Sequence, residues 1–574
     1  MDAQKVSSML SEIAALLELK GENPFKIKAY ENGARIVEGL GDRLPSLVKE
    51  RRLSELKGIG PALSEKITEL VETGRLPYYD ELRKEFPPTI FELLDIPGLG
   101  PKKIRQLYQQ LNIRSLGELE YACLENRLLT LEGFGEKSQA NILHGIQLLK
   151  RHQGQFLFSE ALEAAEALVG QLAARPDVQR ISIAGSLRRR KETVKDIDLV
   201  VSSASPAAVM EAFVALPEVT EVVARGDTKS SVRLNSGMQA DLRVVADQEF
   251  PYALHHFTGG KEHNTALRGL AKTRGIKINE YGLFRGDELI PCASESEIYA
   301  ALEMAEIPPE LREDGGEIEA AQAHHLPALV TDEDIQGIFH VHTTESDGRH
   351  SLEEMVNAAR ALGYKYVGIS DHSRTAHYAH GLTIERVLAQ HEAIDQLQRR
   401  YDDIVIFKGI ESDILPDGSL DYPDKILAQF DFVIASVHSR FNMEEAEMTD
   451  RVIRAVSHPA VTILGHPTGR LLLSRDGYQI NLPKVLRAAK AHGTVVELNA
   501  NPHRLDLDWR ICKEARELGV KISINPDAHN IHGLRDTRYG VGIARKGWLT
   551  REDIFNTQSV EQIRQTFMTR HAAA

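Results

Sequence analysis

The sequence predicts a multidomain protein: an all-helical N-terminal region, an α+β middle, and a C-terminal α/β domain built on a parallel sheet. Three observations carry this. Over residues 1–150, apolar side chains recur at three- and four-residue spacing, as in Val6, Met9, Leu10, Ile13, Leu16 and Leu17, which is the period of amphipathic helices. From about residue 180 the period shortens to that of strands, in ISIAG, IDLVV, VTEVVA, SSVRLN and MQADLRVV. Beyond 336, seven apolar runs (GIFHVH, YVGISDH, IVIFKGIE, FVIASVH, VTILGH, TVVELN and KISINPDAH) alternate with helical stretches, the texture of parallel α/β folds including barrels.

Length and composition agree with several domains. The chain has 574 residues, and 42% are hydrophobic, enough for more than one core. Its formal net charge of −14 taken alone argues against a nucleic-acid partner. The helical region is balanced, however, with 21 Lys plus Arg against 22 Asp plus Glu over residues 1–150. Many remaining carboxylates sit in clusters resembling cation ligands, whose charge is cancelled once cations bind, so local placement decides. Cys123, Cys292 and Cys512 form no CxxC pair, which excludes a disulfide framework and a thiolate zinc site and suits a reducing compartment. The N-terminus lacks the apolar core of a signal peptide, and no stretch reaches the ~18 apolar residues of a membrane span. A cytoplasmic protein with no membrane contact is expected.

Expected segments are a helical domain over 1–86, a second helical subdomain over 87–150, a sheet domain over 151–250 and a mixed subdomain over 251–306. An acidic linker broken by Pro and Gly, 307–335, leads to the α/β domain, 336–574.

Three segments of the helical region, LKGIGPALSEKI (56–67), IPGLGPKKIRQL (96–107) and LEGFGEKSQANI (131–142), share an apolar residue, Gly-x-Gly and a following helix. Gly58, Gly60, Gly98, Gly100, Gly133 and Gly135 allow a tight turn and close backbone approach, while the next helix offers unpaired N–H groups to a phosphate. Such contacts, with Lys102 beside the second turn, position a protein on a duplex without reading its bases. They resemble helix-hairpin-helix motifs. Plain helix–helix turns are the alternative, and the repetition favours DNA.

In GSLRRRKETVKDIDLV (185–200), a Gly-Ser turn and a basic run precede Asp196-x-Asp198 on a strand. Alternation puts both carboxylates on one face, and MQADLRVV brings a third, Asp241. Paired divalent cations on such a site serve phosphoryl transfer. Gly185, Ser186 and the arginines suit a triphosphate, Arg for bidentate contact.

Six of the seven C-terminal runs end in His, Asp or Glu, where α/β barrel enzymes place their chemistry. They supply His340-x-His342, Asp347, Asp371-His372, Glu411, His438, His466 and Asp527-x-His529. Two imidazoles on one strand face can share a cation, and carboxylates can bridge two, so a polynuclear centre is expected. Arg374 is a further phosphate contact or a plain surface arginine.

The first of these patterns resembles the family X DNA polymerases, the polymerase beta relatives, over residues 1 to about 305. The resemblance implies a nucleotidyltransferase palm with a thumb-like nucleotide-binding subdomain. Asp196, Asp198 and Asp241 match the metal-binding triad, and Ser186 and Arg189 match triphosphate contacts. Arg243 matches the arginine beside the third aspartate. In HFTGGKEHNTALR (256–268), Phe257 and Gly259 match residues near the sugar, Asn264 one near the base edge and Arg268 one toward the template. His256 stands where Tyr is common and Lys261 where Asp is found. Lys66 matches the Schiff-base lysine of the family's lyase domain, with Glu65 adjacent and Ala62 in place of a supporting lysine. Lys26 and Lys28 resemble 5′-phosphate contacts on gapped DNA.

The second pattern resembles the polymerase-and-histidinol-phosphatase (PHP) family over about 336–574, implying a distorted (βα)7 barrel with three metals. His340, His342, Glu411 and Asp527 match one site, and Asp347, His372 and His529 a second. Glu411 bridges to a third with His438 and His466.

Together these imply a DNA-directed DNA polymerase filling short gaps in repair, using Mg²⁺ or Mn²⁺. Its PHP domain, with up to three Mn²⁺, Zn²⁺ or Fe²⁺, would act as a 3′–5′ exonuclease, 3′-end phosphatase or abasic-site phosphoesterase. Gapped or nicked double-stranded DNA and deoxynucleoside triphosphates are the expected partners, the protein a monomer held at the nucleoid through DNA. The alternatives are a PHP domain that hydrolyses a small phosphomonoester or pyrophosphate, and a DNA-end-binding scaffold with residual sites.

Overall fold

The apolar stripe of Val6, Leu10, Ile13, Leu16 and Leu17 becomes the fully buried face of helix Ala3–Lys20. Each such side chain contributes about 1.5–3 kcal/mol relative to exposure. In the computed structural model, which describes residues 1, 3–40, 43–96, 98–150 and 154–573, the chain divides into two units, Met1–Leu149 and Lys150–Ala574. Residue 151, where the sheet domain was expected to begin, lies outside the described residues.

The first unit is helical around one apolar cluster. Its three Gly-x-Gly turns each lead into a helix: α1 (Pro61–Thr73), α2 (Pro101–Leu111) and α3 (Glu136–Lys150). Pro61 and Pro101 stand at the first helical position, where a fixed φ and a missing N–H cost nothing.

In the second unit a five-stranded sheet comes first: β1 (Arg180–Ile183), β2 (Asp196–Ser202), β3 (Val219–Arg225), β4 (Lys229–Leu234) and β5 (Gln239–Val245). The spatial order is β1-β2-β5-β4-β3, with only β2 and β5 parallel. Along β2 the alternation is clean: Ile197, Leu199 and Val201 enter the core, which leaves Asp196 and Asp198 on the other face. Helix α4 (Lys261–Thr273) and a three-stranded antiparallel sheet of Ile276–Asn279, Gly282–Arg285 and Glu288–Ile290 follow.

The acidic stretch 307–335 is folded and held by ion pairs. Glu310 meets Arg545 at 2.7 Å, the fully buried Arg312 meets Glu295 at 2.5 Å, and Glu317 meets buried His263 at 2.6 Å.

The last segment carries seven parallel strands in sequence order: β6 (Gly337–Val341), β7 (Tyr366–Ile369), β8 (Val405–Asp413), β9 (Phe432–Ser436), β10 (Ile463–Leu464), β11 (Val495–Asn499) and β12 (Ile522–Asn525). All seven runs read from the sequence are strands here. The ring closes just past β12, where His342 N–H donates to Ala528 O at 2.9 Å and Ala528 N–H to His340 O at 3.1 Å. This is a nearly closed seven-stranded parallel barrel, as the resemblance to the PHP family implies.

Sheet and barrel share a core. Ile197, Leu199 and Leu242 belong to the same apolar cluster as Val496, Leu498, Ile522 and Ile524, and Phe158 meets Tyr539 edge-on at 5.9 Å. No described helix is long and apolar enough to cross a membrane.

Candidate functional site

Parallel pairing of β2 with β5 sets Asp198 directly beside Asp241, with Asp196 two residues earlier on the same face. Burial pushes the Asp198 carboxyl up to about 6, and the neighbouring charges of Asp196 and Asp241 add to the effect. Burial also raises Asp196, with Asp241 contributing. Asp241 is the exception: burial works against its charge, but Lys229, Ser231 and Gln239 hold its pKa below the ordinary value. Lys229 Nζ lies 2.5 Å from Asp241 Oδ2. Three carboxylates thus share one face with one close ammonium.

The preceding turn is shaped to the triad. Gly185 has φ +62°, and a Cβ there would fall 2.1 Å from Asp198 Oδ2, so only glycine fits. The turn is held by Ala184 N–H donating to Asp198 O at 2.8 Å, and Ser186 follows, half-buried. Arg189 is buried, donating to Thr258 O at 2.8 Å and Glu313 Oε1 at 3.0 Å. Arg243 stacks over the Phe257 ring at 4.0 Å, and the His256 ring meets the same phenyl edge-on at 4.9 Å. Asn264 Nδ2 donates to His256 O at 2.8 Å, while a Cβ on Gly259 would strike Asn264 Oδ1 at 2.1 Å. Arg268 and Lys261 are exposed on α4.

In the barrel the nine predicted ligands converge at the carboxyl end of the strands. Four groups bring their donor atoms within 4.8 Å of one another: His342/Asp347/His372/His529, His340/His466/Asp527, His340/His342/Glu411 and His372/Glu411/His438. His342 therefore also joins the expected second set, and His466 groups with His340 and Asp527 while its Nε2 lies 3.0 Å from Glu411. Glu411 is central, with Oε2 2.9 Å from His372 Nδ1 and Oε1 3.2 Å from the Nε2 of both His340 and His438.

These residues fit a metal centre on their own geometry. His340 Nε2 and both ring nitrogens of His342 and His372 are buried without a hydrogen-bond partner among the described residues, although carboxylate oxygens lie close by. Orphaned imidazole nitrogens aimed at shared carboxylates want a common cation. Burial opposes charge on His340, yet Asp527, Glu497 and Glu411 hold its pKa well above the ordinary value. Burial likewise pushes Glu411 up, but His438, His340 and His372 bring it well below the carboxylate range.

One expectation is corrected in detail. His340 and His342 do not share a face through regular strand alternation. The β6–β7 register shifts between Ile338 and Val341, and His340 adopts φ +60°, a bulge that re-aims the ring. Asp527 also has a positive φ of 51°. Ordinary residues enter this region at a cost of order 1–3 kcal/mol, and such strain clusters at functional sites. Asp371 is not drawn into the centre: its carboxylate accepts from Thr343 N and Oγ1, both at 2.8 Å, and from Gln390 Nε2 at 2.6 Å. Arg374 pairs with buried Asp421 at 2.9 Å.

A second layer was not identified from sequence. Glu497 Oε1 lies 2.6 Å from His340 Nδ1 and accepts from Asn525 Nδ2 at 2.9 Å, while its Oε2 accepts from His466 N at 2.7 Å and Asn499 Nδ2 at 3.2 Å. Asp413 likewise meets His438 Nδ1 at 2.6 Å. Carboxylates of this kind fix ring orientation and raise ligand basicity. The signal was available in part: Asp413 follows Glu411 by two on the same strand, and Glu497 sits near the end of the one run lacking a terminal ligand.

On the helical unit, Gly58, Gly98 and Gly133 have φ of 104°, 83° and 84°, which explains the first glycine of each turn. The second glycine needs another reason at Gly60 and Gly100. Their φ values, −78° and −79°, suit any residue, and a Cβ would meet nothing within 4 Å. Neither strain nor side-chain packing asks for glycine there; both residues cap the helices that follow, a position glycine favours. A Cβ on Gly135 is equally unobstructed. Lys102 lies on the first turn of α2 and Lys28 is exposed on helix Pro24–Leu40. Lys66 and Lys26 both lie over the Tyr78 ring, 4.7 and 5.6 Å from its centre.

Family models match along the chain: a helix-hairpin-helix domain over 1–76, a SAM-like helix-hairpin-helix tandem over 90–147, the DNA polymerase beta thumb over 253–313 and a PHP domain over 339–501. A DNA polymerase/3′-5′ exonuclease PolX of Bacillus subtilis (strain 168) is 40% identical over all of both chains. A probable phosphatase of Thermoanaerobacter sp. (strain X514) is 29% identical over 38% of this chain and 89% of its own length. Another, of Caldicellulosiruptor saccharolyticus, is 30% identical over 33% of this chain and 78% of its own. With the Bacillus match running end to end and a polymerase beta thumb and a PHP domain in one polypeptide, the chain belongs to the bacterial PolX family of DNA polymerases.

Proposed function

We propose that this protein fills short gaps in DNA at the Asp196/Asp198/Asp241 site and removes material from 3′ ends at the barrel site. The observation that carries the reading is the coexistence of two separate ligand constellations, one across β2 and β5 and one at the barrel mouth. The Bacillus relative is named for both activities.

In the polymerase half, Asp196, Asp198 and Asp241 would hold Mg²⁺ or Mn²⁺. Ser186 and Arg189 bind the triphosphate, with the Gly185 turn keeping backbone close to the metal carboxylates. Phe257, held between Arg243 and His256, forms a wall for the sugar, and Asn264 is fixed through its amide to the backbone at 256. Arg268, exposed on α4, would reach the template strand. Gly58, Gly60, Gly98, Gly100, Gly133 and Gly135, with Lys102, Lys26 and Lys28, seat the phosphates of gapped or nicked duplex.

In the barrel, imidazole with bridging carboxylate suits Mn²⁺, Zn²⁺ or Fe²⁺, up to three ions. When bound, such cations polarise phosphoryl oxygens and make water a nucleophile near neutral pH. The protein's part is orientation: Glu497 and Asp413 fix His340 and His438, and the bulge at His340 turns its ring inward.

Asp198→Ala should abolish nucleotide addition on gapped DNA while leaving duplex affinity unchanged; continued synthesis would sink the assignment. The match of the barrel segment to probable phosphatases favours one variation, release of a 3′-phosphate as well as a 3′-nucleotide. Phosphate release from a 3′-phosphorylated oligonucleotide, compared with free pyrophosphate, separates these substrates.

A further inference from the structure

The loop that follows the Gly185 turn is fastened by the barrel. Helix α5 (Thr537–Lys546) ends on Lys546, whose side chain is fully buried. Lys546 Nζ donates to Glu313 Oε1 at 2.6 Å, to Arg189 O at 3.2 Å and to Glu310 O at 3.3 Å. Arg189 Nε donates to that same Glu313 Oε1 at 3.0 Å, and Lys191 Nζ stands 3.9 Å from Oε2. Just after Arg189, Arg190 packs against Gly542 of α5, and Glu192 meets Arg470 of the barrel at 3.5 Å.

One carboxylate oxygen is thus divided between two cations, one from each catalytic half. Burial pushes the Glu313 carboxyl up, but Lys546 and Arg189 bring it below its ordinary value, so it carries its charge. Without Lys546, Glu313 would keep Arg189 at 3.0 Å and Lys191 only at 3.9 Å, and in a poorly solvated setting the close pair is held tightly. With Lys546 in place, the three groups carry net positive charge at the loop. Arg189 commits only Nε and one Nη to protein acceptors out of five N–H donors.

We infer that Lys546 of the PHP barrel is a positioning residue for the polymerase site, sharing Glu313 so that Arg189 is held less tightly by that carboxylate and its remaining N–H donors are set for the nucleotide's triphosphate. This rests on the reading of Arg189 as a triphosphate contact. The barrel then contributes to nucleotide affinity through a side chain that belongs to neither metal centre.

The test is steady-state gap filling with the full-length protein, separating nucleotide KM from kcat, for Arg189→Ala, Lys546→Met, Glu313→Gln and the Lys546→Met/Glu313→Gln double variant. Lys546→Met should raise nucleotide KM about tenfold with kcat and Mn²⁺-dependent 3′ digestion within about twofold. Glu313→Gln should leave KM at or below that of the unaltered protein, and the double variant should return toward it. A merely structural role for Lys546 would not be rescued by removing Glu313. Arg189→Ala raising KM while Lys546→Met does not overturns the inference alone; Arg189→Ala leaving KM unchanged overturns the reading beneath it. Should Lys546→Met fail to fold, Glu313→Gln decides: a raised KM overturns the inference, and a lowered one, which no folding defect produces, supports it.

Discussion

Replacing Glu497 by glutamine tests whether a residue that touches no substrate sets the barrel's metal affinity. All four groups around its carboxylate are placed to donate: His340 Nδ1 and Asn525 Nδ2 to Oε1, His466 N and Asn499 Nδ2 to Oε2. Glutamine keeps the volume but turns one acceptor into an NH₂ group. Whichever way the amide faces, two buried donors lose their acceptor, each at about 1–3 kcal/mol. The negative charge that holds the His340 ring, 2.6 Å away, is lost as well. Changes to such supporting carboxylates cost about 10–100-fold in metal affinity, or roughly 1.4–2.7 kcal/mol. The half-saturating Mn²⁺ for 3′ shortening of a 5′-labelled strand should rise by that factor, with bound metal falling in elemental analysis and nucleotide addition unchanged. An unaltered Mn²⁺ dependence would refute the reasoning, and so would a parallel loss of synthesis.

Other outcomes follow from the same structure. Lys102→Ala should weaken duplex binding for all sequences alike and lower the log–log salt slope by about one, read by anisotropy at several salt concentrations. Gly100→Asn should weaken binding with little change in melting temperature, since a Cβ there meets nothing within 4 Å and Asn caps α2 at least as well as glycine. Burial pushes Glu295 up, but Arg312 and Arg188 hold it at about 2 against an ordinary 4.5. A depressed carboxyl stabilises the fold above its unfolded pKa and loses that contribution as pH falls through its folded one. Glu295→Gln should therefore forfeit about 3 kcal/mol at pH 7 and roughly 1 kcal/mol less at pH 3.5, measured by urea unfolding.

The parts of this protein legible in its sequence are those whose signal is local. Asp196-x-Asp198 lies on an uninterrupted strand, so period two alone places both carboxylates opposite Ile197 and Leu199. Six of the seven barrel runs end in His, Asp or Glu, a pattern visible without any strand pairing. Groups that act through long-range pairing were not legible. Glu313 reads as one acid among many in a polar connector, and only folding sets it between Arg189 and Lys546. Glu497 reads as a strand residue until β11 places it beside β6 and the His340 ring. The bulge at His340 also escaped, because a positive φ on histidine leaves no mark in composition. Glycines were informative in proportion to what surrounds them: Gly185 answers to Asp198, whereas a Cβ on Gly60 or Gly100, which cap their helices, would meet nothing within 4 Å.

The central claim is that one chain makes and trims DNA ends at two independent sites. It is tested most directly by a time course on 5′-labelled one-nucleotide-gap DNA with Mn²⁺, with and without nucleotides, for the unaltered protein, Asp198→Ala and His342→Ala. The account predicts extension and shortening from the unaltered protein, shortening alone from Asp198→Ala, and extension alone from His342→Ala. Loss of both activities in either folded variant would contradict it.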